Sequence, residues 1–140
     1  MSNSSTISAS GSITRVGVIG LGTMGAGIAE VIARSGAQVW AVETTEVDLA
    51  RGVKTIEGST ARAVVKGKLS EEERTALLSR ITFTTSLKDL SEVDLVVEAV
   101  PESMEIKSAL FTALDKITPA HTILASNTSS ISITRLAAAT

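Results

Sequence analysis

The sequence predicts an α/β protein with an open, mostly parallel, doubly wound sheet and helices on both of its faces. Short apolar runs alternate along the chain with longer amphipathic segments, which is the order that builds parallel sheets. Hydrophobic residues make up 44 % of the chain but aromatic residues only 2 %. This aliphatic composition is typical of strands buried on both faces. With 140 residues, the chain has room for one such domain.

The first half of that alternation is a strand–helix–strand unit. Thr14–Gly20 is an apolar, β-branched run that ends at glycine and predicts a buried strand. Thr23–Ser35 has apolar residues at helical spacing, and Gly36 stands where a helix C-cap belongs. Gln38–Val42 predicts the second strand. A parallel pair joined by a crossover helix has about this length.

The second half continues the alternation with two helices before the next strand. A long helical pattern runs from Asp48 to Lys66, and Ser70 with Glu73 forms a capping box for a short helix through Leu78. The remaining predicted elements are strands at Ile81–Thr84, Asp94–Ala99 and Thr122–Ala125, a helix at Glu102–Lys116 and a last helical fragment from about Ile133. We expect residues 1–13, with six serines and no basic residue among the first twelve, to be a disordered leader before the folded domain at 14–140.

Charge and composition exclude several function classes. Lys and Arg number 13 against 15 Asp and Glu, so the basic excess typical of nucleic-acid binders is missing. The chain has no cysteine and one histidine, His121, which argues against disulfides, thiolate zinc sites and multi-histidine metal sites. The longest uncharged apolar run is too short and too rich in glycine to span a bilayer. We therefore expect no metal, nucleic-acid or membrane partner, and a cytoplasmic location.

A glycine-rich turn follows the first predicted strand. Gly20, Leu21, Gly22, Thr23, Met24 and Gly25 match the pattern G-x-G-x-x-G between a strand and a helix. In that context Gly20 permits the tight turn, Gly22 leaves room for a pyrophosphate, and Gly25 allows close packing of helix and strand. The helix N-terminus then attracts the diphosphate through its free amides and its dipole. The alternative is an ordinary turn that uses glycine for its positive φ.

Glu43 ends the second predicted strand, some twenty residues after the glycine-rich turn. A carboxylate there accepts hydrogen bonds from the ribose hydroxyls of a dinucleotide and repels a 2′-phosphate. No arginine follows before Arg51, which favours NAD over NADP. A solvated acid at a strand end is the alternative. Together the turn and Glu43 predict a Rossmann-type domain with NAD as its cofactor.

Three segments carry a more specific resemblance. They are VIGLGTMGAGIA (Val18–Ala29), DLVVEAVPE (Asp94–Glu102) and ASNTSS (Ala125–Ser130). With them the chain, from about Arg15 to Thr140, resembles the N-terminal NAD-binding domain of L-3-hydroxyacyl-CoA dehydrogenases of the 3-hydroxybutyryl-CoA type. The resemblance implies hydride transfer between NAD(H) and C3 of a 3-hydroxyacyl-CoA or 3-ketoacyl-CoA.

The resemblance also assigns residues outside the glycine-rich turn. Glu102 and Lys107 match cofactor-side residues of the family, and Ser59 and Lys66 match its coenzyme A contacts. Lys66 has an alternative as a cation at a helix C-terminus. Lys107 has one as an exposed helical ion pair with Glu102 or another nearby acid.

Ser129 matches the family's serine that hydrogen-bonds the reacting oxygen of the substrate, and it is the candidate catalytic residue. Asn127, at the same strand end, is a candidate for cofactor binding. Turn formation or helix capping is the alternative for both.

A base must take the hydroxyl proton, and histidine suits that role. His121 is expected at the opposite end of its strand, away from the ligands. The resemblance places the catalytic histidine and a C-terminal helical domain with the dimer contacts beyond residue 140. We therefore expect the full-length protein to be a homodimeric enzyme and this chain to be inactive alone. Two alternatives remain: a stand-alone module that senses NAD(H), and a related dehydrogenase acting on a hydroxy acid or sugar acid without a thioester.

Overall fold

A computed structural model describes residues 13–100 and 104–126 of the chain. Within these ranges five strands form one parallel sheet in the order β3-β2-β1-β4-β5. The strands are β1 (Arg15–Ile19), β2 (Gln38–Val42), β3 (Ile81–Thr84), β4 (Leu95–Glu98) and β5 (Ile123–Ser126). The helices are α1 (Thr23–Arg34), α2 (Glu46–Val65), α3 (Glu71–Ser79) and α4 (Met104–Ile117), with a 3₁₀ turn at Leu87–Leu90. The predicted doubly wound α/β fold is confirmed.

Apolar residues pack on both faces of the sheet. On one face β1 and β2 pack against α1, α2 and α3 through buried residues such as Ala29, Ile56 and Leu77. On the other face the 3₁₀ turn and α4 supply Leu90 and Leu114, both fully buried. Two covered faces account for the nearly continuous Val, Ile and Ala runs of the strands.

Several element boundaries differ from the prediction by one or two residues, and local hydrogen bonds explain two of them. α2 begins at Glu46 rather than Asp48, because the Thr45 side chain accepts a hydrogen bond from the Asp48 N–H and makes Thr45 the N-cap. β5 begins at Ile123, because Thr122 closes a turn onto Pro119 and Val93 instead of pairing in the sheet. The capping box of Ser70 and Glu73 is present as predicted.

Some predictions lie outside the described ranges. These are residues 1–12 of the expected leader, the start of the fourth helix at Glu102, and the segment from residue 127 onward with its last helical fragment. The 3₁₀ turn was not predicted from the sequence. Within the described ranges, no helix is both long and apolar enough to cross a membrane.

Candidate functional site

The candidate site lies at the carboxyl edge of the sheet, where β1 and β4 are neighbours. The chain leaves β1 toward β2 on one side and returns to β4 on the other, so the strand order reverses between these two strands. In open parallel sheets, ligands bind in the crevice at such a reversal, outside the carboxyl ends of the strands. Gly20, Glu43, Glu98 and Ser126 all stand at or directly after these strand ends.

Two of the three glycines in the turn are required by packing. Gly20 has a φ of 92°, and a Cβ there would lie 2.8 Å from the Ala99 carbonyl carbon and oxygen. A Cβ on Gly25 would overlap the carbonyl oxygen of Gly20. Side chains at either position would therefore force β1, α1 and the residues after β4 apart. These two positions hold the turn in shape.

Gly22 is different, because no packing contact explains it. Apart from Gly22 itself and its chain neighbours, a Cβ on Gly22 would meet no atom within 4 Å, and the φ of −68° is open to any residue. Gly22 is the N-cap of α1, and it supplies no side-chain hydrogen bond to the helix. The open space beside Gly22 lies where a bound group can approach the backbone.

The N-terminus of α1 is also left without charge compensation. Its first turn carries no acidic residue, whereas α2 and α3 begin with acidic residues and with Thr45 and Ser70 as side-chain caps. The first four N–H groups of a helix lack partners inside the helix. Thr23 and Met24, the first two residues of α1, are exposed. Their backbone amides and the helix dipole form a site suited to an anion such as a diphosphate.

Glu43 is tied directly to the glycine-rich turn. Its Oε2 accepts a hydrogen bond from the Leu21 N–H at 2.7 Å, and its Oε1 accepts one from the Thr44 N–H at 3.2 Å. Leu21 itself is buried, facing Gly52 of α2, so its side chain contributes packing and its amide orients Glu43. Each carboxylate oxygen has a second lone pair. Glu43 can therefore accept from ribose hydroxyls while it stays bound to the turn.

These features fit an adenine dinucleotide. The open face of Gly22 admits a diphosphate against the backbone, and the amides of α1 supply donors for it. Glu43 then stands beside the same turn with acceptors for a ribose. The amides of α1 are donors that suit the anionic diphosphate, and the Glu43 carboxylate is an acceptor that suits the diol of a ribose.

Lys107 lies in a buried cluster rather than on an exposed helix face. Its Nζ is 2.8 Å from Oε1 and 2.6 Å from Oε2 of Glu98, and the two side chains are 1 % and 0 % exposed. The suggested exposed pair of Lys107 with an acid on its own helix is thus wrong. The sequence analysis does not single out Glu98 as a site residue, because it stands in an apolar strand. Its position two residues after Val96 could have indicated its burial, since alternate residues of a strand share a face and both lie on the buried face of β4.

Ser59 and Lys66 lie further along α2 than Gly52, the residue that packs against Leu21 of the glycine-rich turn. At 1.5 Å per residue, Ser59 is about 10 Å and Lys66 about 21 Å along the helix from Gly52. Ser59 is half-buried in the last third of the helix, and Lys66 is exposed at its C-cap. Lys66 therefore has the position that its alternative as a helix-end cation requires. A coenzyme A contact for either residue stays a prediction.

Three further candidates, Glu102, Asn127 and Ser129, lie outside the described residues. His121 is described, and it lies at the amino edge of the sheet, two residues before β5. It is 64 % exposed, and its Nε2 is 3.1 Å from Oδ1 of Asp94. The expected position of His121, opposite the crevice, is confirmed.

Asp94 joins the strand starts at this amino edge. Its Oδ2 accepts hydrogen bonds from the N–H groups of Thr14 and Arg15, both at 3.0 Å. Burial acts to raise the pKa of Asp94, but hydrogen bonds from Thr14, His121 and Arg15 outweigh it and leave the pKa below its ordinary value. The group stabilises the sheet at the end remote from the candidate site.

Comparison with known proteins agrees with this geometry. The family model described as 3-hydroxyacyl-CoA dehydrogenase, NAD binding domain, matches residues 15–140. A 3-hydroxybutyryl-CoA dehydrogenase of Mycobacterium tuberculosis is 50 % identical over 132 residues, which are 94 % of this chain and 46 % of that protein.

Two solved structures are similar as well. FadB2 of Mycobacterium tuberculosis has a TM-score of 0.90 and 49 % identity, covering 91 % of this chain and 45 % of its own. An (S)-3-hydroxybutyryl-CoA dehydrogenase from Ralstonia eutropha has a TM-score of 0.88 and 43 % identity, covering 92 % of this chain and 46 % of its own. The chain thus spans about half the length of the relatives that it matches.

Proposed function

The chain belongs to the 3-hydroxyacyl-CoA dehydrogenase family as its NAD-binding domain, and from this premise we propose that it serves hydride transfer between NAD(H) and C3 of a 3-hydroxyacyl-CoA or 3-ketoacyl-CoA. The observation that carries the proposal is the open face of Gly22 at the uncompensated N-terminus of α1. Relatives named 3-hydroxybutyryl-CoA dehydrogenase support the substrate class.

The proposal gives the described residues distinct parts in holding the cofactor. The backbone of Gly22, Thr23 and Met24 binds the diphosphate, while Gly20 and Gly25 keep the turn closed. Leu21 orients Glu43, whose free lone pairs accept from the adenosine ribose. The same carboxylate repels a 2′-phosphate, which excludes NADP. Glu102, Lys107 and Asn127 are proposed to act at the nicotinamide end.

The cofactor supplies a carbon that accepts or delivers hydride, so the protein must handle the proton and position the substrate. Ser129 is proposed to donate a hydrogen bond to the reacting oxygen. The hydroxyl proton needs a base, and His121 lies at the amino edge of the sheet, opposite the candidate site. We propose that a histidine outside these 140 residues takes that proton, in agreement with relatives about twice as long. Coenzyme A contacts by Ser59 and Lys66, a homodimeric full-length protein and a cytoplasmic location complete the proposal.

Calorimetric titration of the chain with NADH and NADPH tests the cofactor site. A charge-assisted hydrogen bond contributes about 1.5–3 kcal/mol, so Glu43→Ala is expected to weaken NADH binding about ten- to a hundredfold. Glu46→Ala is the matched control, because Glu46 is an exposed carboxylate three residues further along the chain. Unchanged NADH binding by Glu43→Ala, or equal binding of NADPH by the unaltered chain, would contradict the assignment of Glu43.

A further inference from the structure

The buried carboxylate of Glu98 receives hydrogen bonds from three parts of the fold. Besides Lys107 on α4, the Ser126 hydroxyl at the end of β5 donates to Oε1 at 2.6 Å. The N–H of Val100, in the segment after β4, donates to Oε2 at 2.6 Å. Glu98 therefore connects β4, β5 and α4 at a single point.

That point adjoins the crevice at the strand reversal. Glu98 is in register with Ile19, the last residue of β1, and with Ser126, the last residue of β5. The next residue, Ala99, donates its N–H to the Ile19 carbonyl at 2.8 Å and packs against Gly20. The cluster thus lies between the glycine-rich turn and the end of β5 at Ser126.

The hydrogen-bond inventory shows what Glu98 can and cannot do. An ionised carboxylate has about four acceptor sites, and the two bonds from Lys107 with those from Ser126 and Val100 occupy them. Glu98 has no accessible surface, so it cannot itself contact a ligand. An ammonium has three N–H donors, so Lys107, itself only 1 % exposed, has one donor beyond its two bonds to Glu98 for a group that enters the cluster. Glu98 can therefore act only through the groups that it holds.

We propose that Glu98 is a positioning residue for the nicotinamide end of the cofactor site, because its buried carboxylate fixes both the Lys107 ammonium and the Ser126 end of β5. The inference rests on the proposed function. Glu43 and the glycine-rich turn hold the adenosine and diphosphate without any contact to Glu98 among the described hydrogen bonds. Loss of Glu98 should therefore affect one end of the cofactor and spare the other.

Binding of NADH compared with ADP-ribose tests this directly, because ADP-ribose lacks only the nicotinamide. The full chain and two variants, Glu98→Gln and Ser126→Ala, are titrated with both ligands by calorimetry after their melting temperatures are measured. Removing the charge that holds Lys107 is expected to weaken NADH binding about tenfold and Ser126→Ala about threefold. Both variants should bind ADP-ribose within about twofold of the unaltered chain.

Thr122→Val is the matched control. The Thr122 hydroxyl donates to the Val93 carbonyl at 2.7 Å, a bond of similar length at the amino end of the same strand. It should change neither affinity. If Glu98→Gln does not fold, Ser126→Ala carries the test, since it removes one hydroxyl and leaves the ion pair.

A loss confined to NADH supports the positioning role. Equal weakening of the binding of both ligands would assign Glu98 a structural role and overturn the inference. Unchanged binding of both ligands, or a loss of NADH affinity of the same size in Thr122→Val, would overturn it as well. So would an unaltered chain that binds NADH no more tightly than ADP-ribose. An unaltered chain that binds neither ligand would instead refute the proposed function.

Discussion

The open space beside Gly22 leads to a prediction that separates binding from folding. Gly22→Ala adds one methyl group at a position where no atom lies within 4 Å apart from Gly22 itself and its chain neighbours, and the φ of −68° suits alanine. The protein should therefore fold normally. At the N-cap, alanine is less favourable than glycine, which costs at most about 1 kcal/mol of stability.

The effect on cofactor binding should be larger than the effect on stability. The methyl group occupies the space in which a diphosphate meets the amides at the start of α1. Displacing the diphosphate from one charge-assisted hydrogen bond weakens binding by about 1.5–3 kcal/mol, or roughly ten- to a hundredfold. Gly22→Ala should thus lose most of its NADH affinity while its melting temperature changes by a few degrees at most.

Calorimetry with NADH and thermal unfolding followed by circular dichroism measure the two quantities. Gly27→Ala is the control, since a Cβ on Gly27 would also meet nothing within 4 Å outside its own helix backbone, but Gly27 lies inside α1. It should keep its affinity and gain up to about 1 kcal/mol of stability, because alanine favours helix. Gly25→Ala should instead unfold or strongly destabilise the chain, because its Cβ overlaps the Gly20 carbonyl. If Gly22→Ala binds NADH as tightly as the unaltered chain, the diphosphate does not lie at this turn.

Three further predictions concern the rest of the described chain. Lys107→Met leaves the Glu98 carboxylate buried and unpaired, so urea denaturation should show a free energy of unfolding lower by about 3–5 kcal/mol. Lys116→Met, at an exposed position of the same helix, should lower it by less than about 1 kcal/mol. Similar losses in the two variants would contradict the burial argument. Because the folded-state pKa of Asp94 is lowered, its stabilising effect is present above the unfolded-state pKa near 4 and is lost as the pH falls through the folded value. The stability advantage over Asp94→Asn should therefore shrink in acid, and a constant difference from pH 7 to pH 3 would refute it. Finally, the 140-residue chain should bind NADH without oxidising it in the presence of acetoacetyl-CoA, and robust turnover would refute the assignment of the base to a residue outside the chain.

Much of the fold followed from the sequence because its signals are local. The spacing of apolar residues over roughly five to fifteen positions indicates a strand or a helix. The capping box from Ser70 to Glu73 spans four residues. The 3₁₀ turn at Leu87–Leu90 was missed, because four residues are too few to show a period. The observed boundary differs from the predicted one where a single side chain, such as that of Thr45, caps the helix and so determines its first residue.

The sequence by itself determined the parallel α/β class, the glycine-rich turn and the carboxylate after the second strand. Only the tertiary structure decided which groups meet across the sheet. Leu21 and Glu43 are 22 residues apart, Ser126 and Glu98 are 28 apart, and neither pair has a pattern in sequence that predicts its contact. The sequence allows Lys107 an exposed ion pair on its own helix, whereas in the structure Lys107 is buried against Glu98, since a charge removed from water must have a partner of opposite charge nearby. The periodicity of the chain reports local conformation, while the pairing of buried charges depends on how distant segments pack.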